Sequence, residues 1–232
     1  MSLTYAIADL HGRFDLLLEG YTRIVTHAGS TGGHTIVHLG DYVDRGPDSR
    51  DILEFLMRET TLTYGWKRIV LKGNHEDIMR QACWAPSKIG WWLQNGGGRT
   101  LMSYGLKVGD VIDVSVVPAE HLDWIFHLPL MHVDEHRVFV HAGVDPHVDL
   151  KLQTQETLTW MIYPAGWPGG DYHSGRHVVH GHEQFADGPK LYSGRTNLDT
   201  FAWRTGRLVV GVFDDDKPGG PVDLIEVKGP PA

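Results

Sequence analysis

The sequence contains one cysteine, Cys83, in 232 residues. A lone thiol excludes an intramolecular disulfide and a metal site built from several cysteine thiolates. Such sparing use of cysteine is typical of the reducing cytoplasm, which is the location we expect. The residues next to Cys83 are Ala, Trp and Gln, with no adjacent histidine to activate the thiol, so we expect a packed side chain and not a nucleophile.

Long apolar runs and an excess of positive charge are also missing. No apolar stretch reaches the ~20 residues that a membrane-spanning helix requires. The chain enters a polar Asp-Leu-His-Gly loop at residue 9, which is unlike a secretory signal. There are 29 acidic residues against 21 Lys and Arg, giving a formal net charge of −8. Nucleic acids and anionic membranes bind basic surfaces, so we expect neither as a partner.

The pattern of apolar residues predicts one domain, residues 1–232, of the α/β (α+β) class. In the first half, short apolar strands alternate with amphipathic helices, an order that favours parallel strands covered by helices. The predicted strands are 4–8, 34–39 and 68–71; the predicted helices are 14–25, one through 52–57 and one beginning at 77–83.

From about residue 130 the pattern becomes a series of short β-like runs, which predicts a second, mixed sheet packed against the first. These runs are 137–140, 177–180, 190–193, 196–203, 207–213 and 222–227. We interpret residues 84–105 as a Trp- and Gly-rich insertion and residues 164–175 as a turn-rich loop. For Trp84, Trp91 and Trp92 we favour packing in the core over the alternative, which is that they line a substrate groove.

Five of the predicted strands end in a loop that carries Asp, His or Asn. Ligands collect at the carboxyl ends of parallel strands, so we expect these side chains to converge. Asp9 and His11 are two residues apart and can chelate one ion, whereas the two carboxylate oxygens of Asp41 suit a bridge between two ions. Asn74, His141 and His182 would complete the sphere of the second ion. Imidazole and oxygen ligands without thiolate fit Mn, Fe, Zn or Co.

Two neighbouring ions can activate a water molecule and hold the oxygens of a phosphoryl group. His75 follows Asn74 and is placed to protonate the leaving oxygen, while Asp44 can orient its ring and Arg45 can bind two phosphoryl oxygens. No Gly-x-Ser-x-Gly elbow, P-loop, Rossmann glycine pattern or His-Glu-x-x-His motif is present in the sequence. The sequence therefore predicts a two-metal phosphoester hydrolase.

The loops after the first three strands resemble the signature of the metal-dependent phosphoprotein phosphatases, a family of calcineurin-like metallophosphoesterases. The three motifs are Asp9-Leu-His11-Gly12, Gly40-Asp41-Tyr-Val-Asp44-Arg45-Gly46 and Gly73-Asn74-His75-Glu76. The resemblance to small bacterial and phage members extends over most of the chain, including 92–104, 118–129, 140–143, 178–182, 197–200 and 205–208.

This resemblance implies a β-sandwich of two mixed sheets flanked by helices, and a pair of divalent ions, often manganese. It assigns one ion to Asp9, His11 and Asp41, and the other to Asp41, Asn74, His141 and His182. It also makes His75 and Asp44 the acid pair, and Arg45 and Asn74 the phosphate contacts. The implied substrate is phosphoserine or phosphothreonine in a phosphoprotein.

Two other functions stay open. Similar enzymes that split diadenosine tetraphosphate symmetrically tend to lack a carboxylate at the position of Asp44 and to read Gly-Asn-His-Asp, so Asp44 and Glu76 favour the protein phosphatases. The other alternative is a binding module that keeps the fold but has lost efficient catalysis.

The chain departs from the resemblance at Ile162, where small members usually carry a second phosphate-binding arginine. We expect either that Arg176 or Arg195 substitutes for it, or that the site holds phosphate with one arginine fewer. Glu183 and Gln184 also follow His182 where relatives more often have Thr-Pro.

Overall fold

The computed structural model describes residues 2–30, 32–58, 65–169 and 175–231. Residues 170–174 of the predicted 164–175 loop lie outside this part of the chain. The strands are β1 (Leu3–Ile7), β2 (Thr35–His38), β3 (Lys67–Val70), β4 (Met131–Val133), β5 (Arg137–Val140), β6 (His177–His180), β7 (Lys190–Leu191), β8 (Arg195–Asn197), β9 (Arg207–Asp214) and β10 (Asp223–Lys228). The α-helices are α1 (Phe14–Ala28), α2 (Ser49–Met57), α3 (Asn74–Trp84), α4 (Pro86–Gln94), α5 (Gly97–Ser103), α6 (Ala119–His127), α7 (Gln155–Trp160) and α8 (Ala202–Thr205).

The first sheet has the order β10-β9-β1-β2-β3. β1, β2 and β3 are parallel, as the alternation of strands and helices predicted, and β9 and β10 continue the sheet in antiparallel pairing. The prediction that 207–213 and 222–227 belong to the second sheet is therefore wrong. The Val-rich β9 is buried from Leu208 to Asp214, because it lies inside the first sheet between β1 and β10.

The second sheet has the order β4-β5-β6-β8-β7, with β5, β6 and β8 parallel and the two edge strands antiparallel. It packs on the first sheet through small and branched apolar residues, with Ala6 and Val37 on one side and Phe139 and Val179 on the other. Each fully buried Val or Phe contributes roughly 1.5–3 kcal/mol. The prediction of two packed mixed sheets is confirmed.

Helices cover the outer face of the first sheet. α1 places Leu17, Tyr21 and Ile24 in a large cluster that also contains Ile52 and Leu53 of α2. The predicted insertion at 84–105 forms α4 and α5, separated by a left-handed turn at Gly96 with φ of 103°. No helix in the described ranges is both long and apolar enough to cross a membrane.

Candidate metal centre

The ends of five strands meet at one edge of the two sheets. β1, β2 and β3 of the first sheet are followed by Asp9, Asp41 and Asn74, and β5 and β6 of the second by His141 and His182. Contacts join the two sets: the His182 backbone N–H lies 3.1 Å from Asp9 Oδ2, and His141 Nε2 lies 3.4 Å from Asp41 Oδ1. The predicted convergence is thus present in the structure.

The backbone of these loops is strained. Seven non-glycine residues in the described part of the chain have positive φ, and six of them are predicted site residues: Asp9, His11, Asp41, Asp44, Arg45 and His182. Such conformations cost about 1–3 kcal/mol each and persist only where the surrounding structure holds them. Backbone bonds between the loops provide this support, including His11 N–H to Asp41 O at 2.8 Å and Gly12 N–H to Tyr42 O at 2.9 Å.

Two glycines allow the loops to approach closely. Gly40 has φ of 109°, and a Cβ on it would lie 2.6 Å from the Gly73 nitrogen. A Cβ on Gly181 would lie 1.9 Å from Asp9 Oδ2. A side chain at either position would force apart the strand ends that carry the candidate ligands.

Asp41 lies between two groups of imidazoles. Its Oδ2 is 3.4 Å from His11 Nε2, and its Oδ1 is 3.4 Å from His141 Nε2. Two sets of candidate ligand atoms, each within 4.8 Å of one another, share this carboxylate; the sets are His11, Asp41 and His75, and Asp41, His141 and His182. Although burial alone raises the pKa of Asp41, the surrounding imidazoles, led by His141, bring that pKa below its usual value. One oxygen towards each group is the arrangement a bridging carboxylate requires.

Backbone carbonyl groups orient two of the candidate histidine ligands, His11 and His141. With their Nδ1 protons, His11 donates to Val43 O at 2.8 Å and His141 donates to Leu39 O at 3.0 Å, so each Nε2 lone pair faces Asp41. Burial lowers the pKa of both rings, and burial together with His141 lowers the pKa of His182 to about 4. A neutral imidazole is the form that binds a metal ion.

Asn74 and Asp9 complete the predicted ligand set. Asn74 Oδ1 lies 2.9 Å from His141 Nε2, so two acceptor atoms face each other; with the amide reversed, the nitrogen would donate to His141 and Asp41 instead. Burial and the nearby carboxylates of Asp199 and Asp41 raise the pKa of Asp9 well above its usual value. Divalent cations between these groups would remove the repulsion between the facing acceptor atoms and between the buried carboxylates. The residues therefore fit a pair of such ions.

His75 and Asp44 form a buried pair beside this cluster. His75 donates from Nδ1 to Asp44 Oδ2 at 2.7 Å, and its Nε2 lies 3.0 Å from an Arg45 guanidinium nitrogen and 4.0 Å from Asp41 Oδ2. Burial lowers the pKa of His75, but the carboxylates of Asp41 and Asp44 outweigh this and raise it. The ring can therefore hold a proton at the edge of the cluster.

The environment of Asp44 includes a residue that sequence reasoning did not place at the site. Trp92, on α4, is fully buried and donates from Nε1 to Asp44 Oδ1 at 2.8 Å, and Thr100 Oγ1 donates to the same oxygen at 2.7 Å. The core-packing prediction does not hold for the other two tryptophans of this segment, since Trp84 is 71% and Trp91 40% exposed.

Glu76 is a second residue whose role sequence reasoning missed. Its Oε2 accepts from the backbone N–H groups of Asp41 and Gly73, both at 2.9 Å, and its Oε1 accepts from Tyr42 N–H at 2.7 Å. Glu76 thus ties the bridging-carboxylate loop to the first turn of α3. A glutamate three residues into a helix, after a glycine, is the sequence signal that could have indicated this cap.

A cavity of about 520 Å³ opens onto the cluster; it is lined by Asp41, Arg45, Asn74, His75, Asn95, Trp160, Ile162, His182, Glu183, Gln184 and Phe185. Ile162, where relatives usually have arginine, is 71% exposed at its rim. The cavity thus has cationic and metal-ligating groups at its base and an apolar rim at Trp160, Ile162 and Phe185.

The structure does not bring Arg176 or Arg195 into this cavity, which corrects the expectation that one of them substitutes for the missing arginine. Arg176 lies at the amino end of β6, the end remote from His182, and donates to Asp134 O. Arg195 is buried: its guanidinium donates to Trp167 O at 2.9 Å and packs 3.9 Å from the Tyr192 ring centroid. The remaining prediction is a site with one arginine fewer.

Comparison with known proteins supports this interpretation of the site. The model of the calcineurin-like phosphoesterase family matches residues 3–210. The chain therefore belongs to this family.

Individual relatives carry two kinds of name. The chain is 34% identical over 93 residues to serine/threonine-protein phosphatase 1 of Salmonella typhimurium, covering 40% of this chain and 38% of that protein. It is 27% identical over 181 residues to the symmetrical bis(5'-nucleosyl)-tetraphosphatase of Dechloromonas aromatica, covering 71% of this chain and 58% of the other. The crystal structure of a provisionally assigned diadenosine tetraphosphatase superposes with a TM-score of 0.66 at 20% identity, covering 98% of this chain and 93% of that one. The chain spans only 27–58% of the length of the first curated relatives.

Proposed function

We propose that this protein is a phosphomonoesterase that removes phosphate from phosphoserine and phosphothreonine side chains of proteins in the cytoplasm. The observation that carries the proposal is the buried His75–Asp44 pair, joined at 2.7 Å, beside the carboxylate of Asp41. A phosphomonoester needs a proton for its leaving alkoxide, and a histidine oriented by a carboxylate is a suitable donor.

The proposed metal ligands are Asp9, His11 and Asp41 for one ion, and Asp41, Asn74, His141 and His182 for the other. When bound, a pair of divalent ions, which we propose to be manganese, supplies Lewis acidity to the phosphoryl group and lowers the pKa of an attacking water. In the structure, Arg45 donates to the Nε2 atoms of His11 and His75, at 2.9 and 3.0 Å.

Each remaining step belongs to a side chain. Arg45 turns its planar fork to the phosphoryl oxygens, and Asn74 contacts the same group from the first turn of α3. Once Arg45 has turned away, Nε2 of His75 takes up a proton from solvent and transfers it to the serine or threonine oxygen that leaves. Asp44 accepts hydrogen bonds from Trp92 and Thr100, which fix its position. It keeps the Nδ1 proton of His75 in place and stabilises the protonated ring before the proton on Nε2 is transferred.

A second candidate is symmetrical hydrolysis of diadenosine tetraphosphate. It is favoured by the relative of that name, which matches 71% of this chain, more than the 40% matched by the named protein phosphatase. Asp44 and Glu76 favour the first candidate.

The test is a comparison of kcat/KM for a phosphoserine peptide and for diadenosine tetraphosphate, with manganese and after chelation. A preference for the peptide of at least ~10-fold, lost on chelation, is expected. A preference for the dinucleotide would support the second candidate, and bound metal without turnover of either would support a binding module.

A further inference from the structure

A second cavity, of about 360 Å³, adjoins the metal cavity and shares Arg45 with it. We call it the Arg99 cavity; it is lined by Arg13, Asp15, Arg45, Gly46, Pro47, Asp48, Arg99, Trp203, Pro230 and Pro231. Because one guanidinium belongs to both cavities, a group bound in the second cavity lies next to a phosphate bound in the first.

The charges of the Arg99 cavity leave one cation available. Arg13 is neutralised by Asp15, since its Nε and Nη2 donate to the two carboxylate oxygens at 2.8 and 2.7 Å. Arg99 is exposed on α5, and its guanidinium makes no hydrogen bond or ion pair with any residue that the structure describes. Asp48, the other carboxyl group of the cavity, forms no ion pair with Arg99 among the described residues, and the lining's three arginines outnumber its two aspartates.

Arg45 and Arg99 are held at a fixed spacing by one carbonyl group. The Gly96 oxygen accepts from the backbone N–H of Arg45 at 3.3 Å and from that of Arg99 at 3.1 Å. The Arg45 guanidinium also lies 5.8 Å from the centroid of the Trp203 ring, a cation–π contact that restrains it between the two cavities. The backbones of the two arginines are thus held close together, so that both guanidinium groups can reach one anion in the cavity.

We propose that the Arg99 cavity is a second anion subsite, which binds a carboxylate or phosphate of the substrate next to the phosphate being removed. The proposal rests on the proposed function, because it takes the scissile phosphate to lie in the metal cavity. Arg99 makes the new contact, Arg45 is shared, and Trp203 positions Arg45. The preferred substrate is therefore a phosphoester with a further negative charge close by.

The test uses two phosphoserine peptides that differ only in Glu or Gln at the residue beside the phosphoserine. In the wild type we expect a higher kcat/KM for the Glu peptide, and Arg99→Gln should lower the Glu-to-Gln ratio by about tenfold through KM, the loss expected for one charge-assisted contact. The matched control is Arg204→Gln, an exposed arginine over Phe201 that lines neither cavity, and it should keep the ratio. An unchanged ratio in Arg99→Gln, or an equal fall in the control, would overturn the subsite for peptides.

Diadenosine tetraphosphate is the second substrate in this test, because its polyphosphate chain also places a phosphate beside the scissile one. Loss of its kcat/KM in Arg99→Gln, with the peptide ratio unaffected, would assign the subsite to the polyphosphate chain. If the wild type turns over neither peptide, the proposed function fails, and the subsite is then measured from the inhibition constants of both peptides and of the dinucleotide against p-nitrophenyl phosphate hydrolysis. Equal constants for wild type and Arg99→Gln, with all three ligands, would contradict the proposal.

Discussion

The geometry at His75 is compatible with two roles, metal ligand and general acid. The ring of His75 belongs to one of the two sets of candidate ligands, which makes it an alternative metal ligand to Asp9. Two contacts argue for the acid role. The Nε2 atom of His75 is 4.0 Å from Asp41 Oδ2, further than the 3.4 Å of His11, and its Nδ1 faces the carboxylate of Asp44 whereas that of His11 faces a backbone carbonyl. A carboxylate partner stabilises the protonated ring that a general acid requires.

Replacing His75 by Asn separates these roles. We expect kcat for p-nitrophenyl phosphate to fall by about 10²–10⁴-fold, the usual contribution of a general acid, while metal content stays at the wild-type value. The measurement is steady-state kinetics with elemental analysis of the same samples, and His11→Asn is the matched control that should lose metal. A His75→Asn protein that loses one ion would be evidence for a ligand, and one with full activity would remove His75 from the mechanism.

The sequence predicts which candidate ligands come together, but it does not predict the contacts that hold their loops in place. Asp9, Asp41 and His141 could be placed together because polar residues at the ends of parallel strands share one edge of a sheet. The contact of Glu76 with the Asp41 loop and that of Trp92 with Asp44 could not be predicted, because each depends on the exact approach of a helix to a loop distant in sequence. A four-residue motif contains no information on that approach.

At the scale of elements, α3 contributes more to the site than the pattern of apolar residues indicated. The helix begins at Asn74, not near residue 77, so that Asn74 and His75 lie in its first turn and Glu76 caps it. The helical pattern of apolar residues begins only with Ile78, so the pattern assigns the polar start of the helix to a loop. Similarly, the pairing partner of β9 could not be predicted, because β9 pairs with β1 about 200 residues earlier.

The cap leads to a prediction for Glu76→Gln. An amide has one acceptor oxygen, so at least one of the buried N–H groups of Asp41, Tyr42 and Gly73 would face a donor. Each unsatisfied donor costs about 1–3 kcal/mol, and we expect the free energy of unfolding to fall by about that amount in urea denaturation with chelator. Glu54→Gln, which alters only i,i+4 ion pairs with Arg50 and Arg58 on the surface of α2, should change it by less than about 0.5 kcal/mol. Similar values for both variants would show that the cap is energetically unimportant.

At the scale of the whole molecule, the site connects the two sheets. Asp9, Asp41 and Asn74 come from the first sheet, and His141 and His182 from the second. Ions held by both sets would oppose separation of the sheets and therefore global unfolding. Bound ligand stabilises by about 2.7 kcal/mol per site at 100 times its dissociation constant.

Metal binding should accordingly raise the free energy of unfolding, and the increase should require ligands from both sheets. We expect saturating Mn²⁺ to raise the urea midpoint of the wild type relative to chelator, and His141→Ala to lose at least half of that shift, because the second sheet then keeps only His182. His132→Gln, on β4 outside the cluster, should shift like the wild type. An undiminished shift in His141→Ala would mean that the stabilising ion is bound elsewhere.

Stability of the metal-free protein should also depend on pH through buried histidines far from the cluster. His177, at the start of β6, is 2% exposed, and burial with the nearby Arg137 lowers its pKa to about 4. Its unfolded value is about 6.5, so below pH 6.5 the unfolded chain binds a proton that the folded protein excludes. This stabilisation is complete above pH 6.5 and is lost as the pH falls towards 4, with a slope of up to about 1.4 kcal/mol per pH unit.

His177→Gln should flatten this part of the profile, because glutamine keeps a donor for Thr196 Oγ1 and cannot titrate. The measurement is the free energy of unfolding in urea at pH 7.5, 6.5, 5.5 and 4.5 with excess chelator, which removes the contribution of metal binding. His127→Gln, at an exposed position on α6, should reproduce the wild-type slope. If His177→Gln instead lowers stability equally at every pH, the ring acts in packing alone, and the acid sensitivity arises at another buried histidine such as His38, whose pKa burial lowers to about 3.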